Sequence, residues 1–162
     1  MTGLSAPPEN ADPLDAEIIA DGWFPPVLLE DVRSKLRIGD GTVTTQRLTA
    51  AIEGAMVSAF RALAPWKLLR IADGAVILGQ VTDITLNDAN YADLLWQRII
   101  RNFAGAELGD LHRDISATDD GLDRADEKSA TADDYRRLAY QAIRDMQSIG
   151  GDPVQRNKVS LI

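Results

Sequence analysis

The segment from Tyr91 to Phe103 constrains the fold most, because it is apolar around most of a helical turn. Its apolar side chains are Leu94, Leu95, Trp96, Ile99, Ile100 and Phe103. A helix with this pattern has to be surrounded, either by the rest of its own chain or by a partner. A bundle of four helices can surround one of its members, so the sequence favours a central core helix. Coverage by a partner stays open, and it makes Trp96 and Ile100 candidate interface residues.

Two amphipathic patterns precede this segment and predict helices. A short helix runs from Leu29 to Leu36 and ends at Gly39, where a glycine suits the left-handed residue that follows a helix. A longer, alanine-rich helix begins at its N-cap Thr44 and ends before Pro65. The apolar run between two glycines in residues 68–84 is too short for periodicity to separate a strand from a loop.

The third and fourth helices are predicted from their caps. Asn87 is the expected N-cap of the central helix, and Thr131 opens the fourth with acidic residues in its first turn. Gly150 ends the fourth helix. The predicted core residues are Leu48, Ile52, Leu95, Ile99, Phe103, Leu138, Ala142 and Met146. The expected fold class is therefore all-α, a small bundle of about four helices.

Extended arms are expected at both ends of this bundle. Residues 1–20 are rich in proline, alanine and acid and predict a flexible N-terminal arm, ahead of a helical domain over residues 21–151. Residues 152–162 form an extended C-terminal tail. Its last apolar side chains, Val159, Leu161 and Ile162, are candidate interface residues, because an extended tail can add to a neighbour's sheet or groove.

An aromatic pair, Trp23 and Phe24, stands before two prolines at the start of the domain. Proline holds the preceding residue in an extended conformation. The pair is either a lid on the chain's own core, which is the more common arrangement, or an anchor for a neighbouring subunit. Both residues therefore also stand as candidate interface residues.

Composition and charge argue against catalysis, metal binding and DNA binding. The chain has 17 Lys and Arg against 25 Asp and Glu, a net charge of −8, whereas proteins that grip phosphates are usually basic. It has no Cys and one His, His112, and no nucleophile or phosphate-binding motif, so no catalytic, cofactor-binding or metal-ligating residues are predicted. The acidic residues 116–127 match a calcium loop poorly and favour a solvated linker. No apolar run is long enough to cross a membrane, and no secretory signal is present, so a soluble protein made inside the cell is expected.

The order of motifs resembles the head completion/stabilisation proteins (the GPL family) of tailed bacteriophages over residues 22–162. The shared order is Trp23-Phe24-Pro25-Pro26, then Gly41 to Leu48 ahead of an alanine-rich helix and Trp66, then Tyr91 to Leu111, Thr131 to Met146, Pro153 and Val159 to Ile162. The resemblance implies a structural virion protein of the head–tail neck, assembled in the host cytoplasm. It also implies that residues 21–151 are a helical adaptor domain.

The resemblance implies a set of partners as well. These are the portal protein of the DNA-filled head, neighbouring copies in a twelvefold ring, and tail-side neck proteins. Packaged double-stranded DNA would pass through without sequence-specific contact, and the ring would retain it and prepare tail attachment. The alternative from another class is a cytoplasmic helical adaptor or regulator that binds one protein partner as a small oligomer.

Overall fold

The computed structural model describes residues 16–36, 43–116 and 122–151 of the chain. In chain order the elements are β1 (Glu17–Ile18), β2 (Val27–Leu28), α1 (Leu29–Lys35), α2 (Thr45–Ala72), a 3-10 turn (Leu78–Gln80), β3 (Thr85–Leu86), β4 (Ala89–Asn90), α3 (Tyr91–Ser116) and α4 (Leu122–Gln147). Strands β1 and β2 form one antiparallel pair, and β3 and β4 form another. The predicted all-α class with about four helices is confirmed.

Helix α3 lies between α2 and α4 and forms the centre of the bundle. Trp96, Ile99 and Ile100 on α3 have no exposed surface, so the chain itself surrounds this stretch. Of the predicted core residues, the buried ones are Leu48, Ile52, Leu95, Ile99, Ala142 and Met146. Phe103 and Leu138 are only half-buried. Phe103 lies at the edge of the α3–α4 contact, where its ring meets the exposed Tyr140 edge-on at 5.4 Å.

Helix α2 begins where the sequence predicted and ends later. The Thr44 hydroxyl caps it by accepting a hydrogen bond from the Arg47 amide at 3.3 Å. The expected end before Pro65 is wrong, because the helix continues through that proline to Ala72. Tertiary hydrogen bonds beyond the proline offset its cost of about 3 kcal/mol. The Trp66 indole donates a hydrogen bond to the Ile149 carbonyl at 3.1 Å. One turn later, the Arg70 guanidinium donates to the Gly150 carbonyl.

The undecided segment, residues 68–84, divides into two parts. Residues 68–72 complete α2, and the remainder forms a loop that carries the 3-10 turn. Leu78 is the buried residue of that turn, and its amide donates to the Trp23 carbonyl at 2.9 Å. The loop is therefore fixed to the domain's first residues rather than paired as a strand.

The cap predicted for α3 is also corrected. Asn87 and Asp88 form the two-residue turn of the β3–β4 hairpin, with φ of 50° and 62°. These residue types tolerate the left-handed conformation that such turns require. Asn90 caps α3 instead, because its side-chain oxygen accepts from the Ala92 amide at 2.9 Å. The side-chain amide of Asn90 also donates to two carbonyls of the preceding loop, each at 2.9 Å.

Helix α4 ends as predicted and begins earlier than predicted. Gly150 follows it with φ of 68°, which agrees with the expected glycine stop. The start at Leu122 replaces the expected start at Thr131, because residues 122–130 are rich in strong helix formers that extend the helix toward α3.

The first described residues belong to the domain rather than to a separate arm. Glu17 and Ile18, which the sequence assigned to the arm, pair with Leu28 and Val27 of β2. The remainder of the predicted arm, the predicted stop Gly39 and the whole C-terminal tail lie outside the described residues.

Candidate functional site

One end of the bundle carries a concentration of exposed aliphatic side chains. At this end α2 finishes, the loop and the β3–β4 hairpin follow, and α3 begins. The end patch, as we name it, consists of Ile19, Leu68, Leu69, Ile71, Val76, Ile77, Ile84 and Leu86, each exposed by between 44% and 73%. Isolated exposed aliphatic residues are common on proteins, but a group at one end is typical of an interaction surface.

An aromatic cluster supports the end patch from inside. It consists of Trp23, Phe24, Phe60, Trp66 and Trp96. The Phe24 ring stacks on Trp96 with centroids 4.2 Å apart, and Trp23 meets Trp66 edge-on at 6.0 Å. The three indoles donate to carbonyls of Ala75, Ile149 and Pro25. Because these carbonyls lie outside the helices, the indoles fix the loops to the bundle.

Asp21 holds the aromatic pair in place. One carboxylate oxygen accepts from the amides of Trp23 and Phe24, both at 3.1 Å, and the other pairs with Lys67. The Lys67 ammonium lies 5.2 Å from the centroids of both rings. Burial raises the pKa of Asp21, but the Lys67 hydrogen bond and the two backbone donors outweigh burial, so the pKa lies below its ordinary value.

An apolar notch of about 210 Å³ opens between the aromatic cluster and the end patch. Trp23, Pro25, Ile77 and Leu78 line it, and Asp93, from the first turn of α3, contributes its carboxylate. Among the described residues, Asp93 has no hydrogen bond or ion pair. Burial raises the pKa of its carboxyl group. The notch therefore combines apolar walls with one negative charge that no described group neutralises.

A second, polar cleft of about 290 Å³ lies between α2, α3 and α4. Glu107, Asp110, Arg136 and Tyr140 line it. Arg136 pairs with both Asp110 and Asp133, the latter at 2.7 Å, so its charge is already neutralised. Burial and the Asp110 charge raise the pKa of Glu107. The cleft is therefore negative overall.

The described residues offer no centre for metal chemistry. No three His, Cys, Asp or Glu side chains in this part of the chain converge as metal ligands. Of the acidic residues 116–127, weighed as a calcium loop and expected as a linker, residues 122–127 belong to helix α4 instead. The side chains of this stretch and of His112 fall outside what the structure describes. None of the described helices combines the length and hydropathy that crossing a bilayer requires.

Comparison with known proteins identifies the family of the chain. A sequence profile of the phage head completion protein (GPL) family matches residues 18–162. The chain belongs to this family. The match confirms the resemblance and begins within β1, so it includes residues that the sequence analysis had assigned to the arm. No curated protein and no solved structure matches the chain significantly.

Membership of the head completion family makes this chain a structural protein of a phage head and a component of the virion. It associates with other head or neck components. The end patch is the described surface best suited to such an association, because its apolar side chains lose contact with water when a partner covers them.

The candidate interface residues fall into two groups. Trp23, Phe24, Trp96 and Ile100 are 7%, 3%, 0% and 0% exposed, so they pack inside this chain and offer a partner almost no surface. Their large apolar side chains complete the bundle without a neighbour. The other three, Val159, Leu161 and Ile162, lie outside the described residues.

Sequence reasoning missed the residues that form the end patch. Val76 and Ile77 belong to the undecided apolar run. The useful signal was the concentration of aliphatic residues in a segment bounded by Gly74 and Asn87, where a helix could not bury them.

Proposed function

We propose that this head completion protein binds the portal vertex of the DNA-filled head as a ring, retains the packaged DNA and prepares tail attachment. Its partners in this proposal are the portal protein, neighbouring copies in a twelvefold ring and the tail-side neck proteins. It acts without catalysis and without a cofactor. Family membership supports a role in the head, and the end patch is the single observation that carries the binding role.

The end patch supports a binding role because its apolar side chains face solvent and do not belong to the core. Its side chains face solvent in the isolated chain, while the aromatic cluster beneath it is largely buried. Specific protein interfaces bury about 800 Å² on each partner, with apolar residues at their centre. A group of aliphatic residues at one end of the bundle, where Gly150 near the end of the described chain contacts Arg70, suits such an interface. In this proposal Val159, Leu161 and Ile162 contact a neighbouring subunit.

The acidic charge supports passage of DNA rather than a grip on it. With a net charge of −8 the chain releases few counterions from DNA, and counterion release supplies most of the affinity of nonspecific binding. A ring with a neutral or acidic wall leaves the duplex free to slide. The dissociation constant of the free protein for duplex DNA is therefore expected to exceed about 10⁻⁴ M at physiological salt.

The test is incorporation into DNA-filled heads that lack this protein. Val76 in the end patch and Val57 on the exposed side of α2 are the same residue type, exposed by 73% and 57%, and they provide a matched pair. Val76→Glu should abolish cosedimentation of the protein with the heads, and the packaged DNA should remain accessible to nuclease. Val57→Glu should bind and protect as the natural chain does.

Equal incorporation of the two variants would contradict a binding role for the end patch. Native mass spectrometry of the chain with its portal protein tests the ring itself. A complex with one or two copies would instead support the alternative, a helical adaptor that binds one protein partner as a small oligomer.

A further inference from the structure

We propose that the notch beside Asp93 binds a basic side chain from the C-terminal segment, residues 152–162, of a neighbouring copy of this chain. The inference rests on the proposed function, because it requires that copies of the chain stand side by side in an assembly. It adds two details to that function: the notch is the site on one subunit, and residues 152–162 are the segment of the next subunit that binds there.

The chemistry of the notch suits a lysine or arginine side chain. Its walls, including Trp23 and Ile77, are apolar and match the methylene stem of such a side chain, which is commonly buried while its charged head is not. The Asp93 carboxylate can accept hydrogen bonds from the ammonium or guanidinium group. Its volume of about 210 Å³ accommodates one long side chain.

The charge around the notch also favours a basic ligand. Residues 73–90 contain three aspartates and no Lys or Arg. Of these, Asp73 pairs with Arg70 at 3.1 Å, while Asp83 and Asp88 have no ion pair among the described residues. The nearest basic groups are engaged within the domain, since Arg70 also contacts Gly150 and Lys67 pairs with Asp21. None of Asp83, Asp88 and Asp93 therefore has a cationic partner among the described residues.

The C-terminal segment carries the complementary groups. Its sequence, DPVQRNKVSLI, presents Arg156 and Lys158 followed by Val159, Leu161 and Ile162. The two basic residues match the acidic notch, and the three apolar residues match the end patch around it.

The segment begins in the right place to reach a neighbour. Gly150, next to the last described residue, contacts Arg70 of α2 beside the end patch, so the segment that follows starts there. Eleven extended residues span up to about 36 Å, at roughly 3.3 Å each. A domain of this length has a radius of gyration of about 15 Å, so the segment can cross to an adjacent copy.

The first test uses a labelled peptide of residues 152–162 and the full-length chain. Fluorescence anisotropy should detect binding, and Asp93→Asn should weaken it at least tenfold. Asp134→Asn, which removes the same charge from the exposed side of α4 away from the notch, should change it less than twofold. A peptide in which Arg156 and Lys158 are both Gln should also bind at least tenfold more weakly. Absence of peptide binding, or equal binding by Asp93→Asn, would overturn the proposal.

The second test separates contact between copies from contact within one chain. Chains with Asp93→Asn keep the basic segment, and chains with Arg156→Gln and Lys158→Gln keep the notch. Sedimentation velocity should show that a mixture of the two associates while each alone does not. A mixture that sediments as the sum of its components would show that copies do not join through this contact and would overturn the proposal.

Binding to heads distinguishes this inference from the function on which it rests. If the natural chain fails to join heads, the proposed function fails whatever the peptide does. If the natural chain and Asp93→Asn join heads equally well, only the assignment of the notch fails.

Discussion

The two small sheets of this protein have the same size and opposite surroundings. In the β1–β2 sheet Val27 is fully buried, and the connection between its strands carries Trp23 and Phe24 into the core. The β3–β4 hairpin is equally short, but Leu86 is 62% exposed and strand β3 presents its side chains to solvent. A two-stranded sheet is marginal in isolation, so each is held by what surrounds it.

The comparison separates a segment that packs inside the bundle from a segment whose side chains face solvent. The aromatic residues that precede β2 fill the bundle and leave little surface for a partner. The hairpin is held through its backbone and through Asn90, so the side chains of β3 are free to contact another molecule. Substitutions in the first segment should therefore cost stability, and substitutions in the second should cost assembly.

The largest effect is expected for Trp96→Ala. The ring is fully buried against Phe24, and its indole donates to the Pro25 carbonyl at 2.9 Å. Replacing a buried aromatic residue by alanine costs about 3–5 kcal/mol of unfolding free energy. Urea unfolding measures it, with Phe103→Ala as a half-buried control that should cost clearly less. A loss below about 1 kcal/mol for Trp96→Ala would mean that the β1–β2 connection does not depend on the core.

A smaller, pH-dependent loss is expected for Asp21→Ala. The change removes the acceptor for two backbone amides and the partner of Lys67, at a cost of about 1–2 kcal/mol at neutral pH. Because the folded-state pKa is lowered, this stabilisation is present above the ordinary value of 3.8 and is lost as pH falls through the lowered value. Unfolding of both proteins from pH 7 to pH 2 should show the difference shrinking in acid. If the difference in unfolding free energy did not change with pH, the loss would come from packing and not from the carboxylate charge.

Asp93→Asn should stabilise the isolated chain slightly at neutral pH. The folded-state pKa of Asp93 is raised by burial, so ionisation costs more in the folded than in the unfolded state. The gain should be complete above the raised pKa and should disappear as pH falls below the ordinary value, where the natural side chain is also neutral. Thermal unfolding at pH 7 and pH 3 measures both. A loss of stability at pH 7 would show that the carboxylate has a partner within its own chain.

The fold could be predicted where local interactions decide it. The cap at Thr44 and the stop at Gly150 follow from the conformations those residues adopt. The passage of α2 through Pro65 could not be predicted, because hydrogen bonds to the distant end of α4 permit it. Asn87 and Asn90 are equally good caps in sequence, and contacts with the loop choose between them.

The candidate site was harder to predict than the fold, for a physical reason. A short run such as Ala75-Val76-Ile77-Leu78 has the same composition whether it is buried or exposed. Of its members Leu78 is buried while Val76 is 73% exposed. Only the position of the loop relative to α2 and Trp23 separates the two, and periodicity carries no information about that position.

The smallest effect on stability is expected for Leu86→Ser in the β3–β4 hairpin. The side chain is exposed, and the turn at Asn87 and Asp88 and the backbone pairing do not depend on it. Exposed substitutions of this kind usually change the unfolding free energy by less than about 0.5 kcal/mol. Urea unfolding should therefore give the natural value, while incorporation into heads should fall because the end patch loses an apolar member. A stability loss above about 1 kcal/mol would show that the hairpin is held by its side chains, as β1–β2 is, and would remove the contrast between the two sheets.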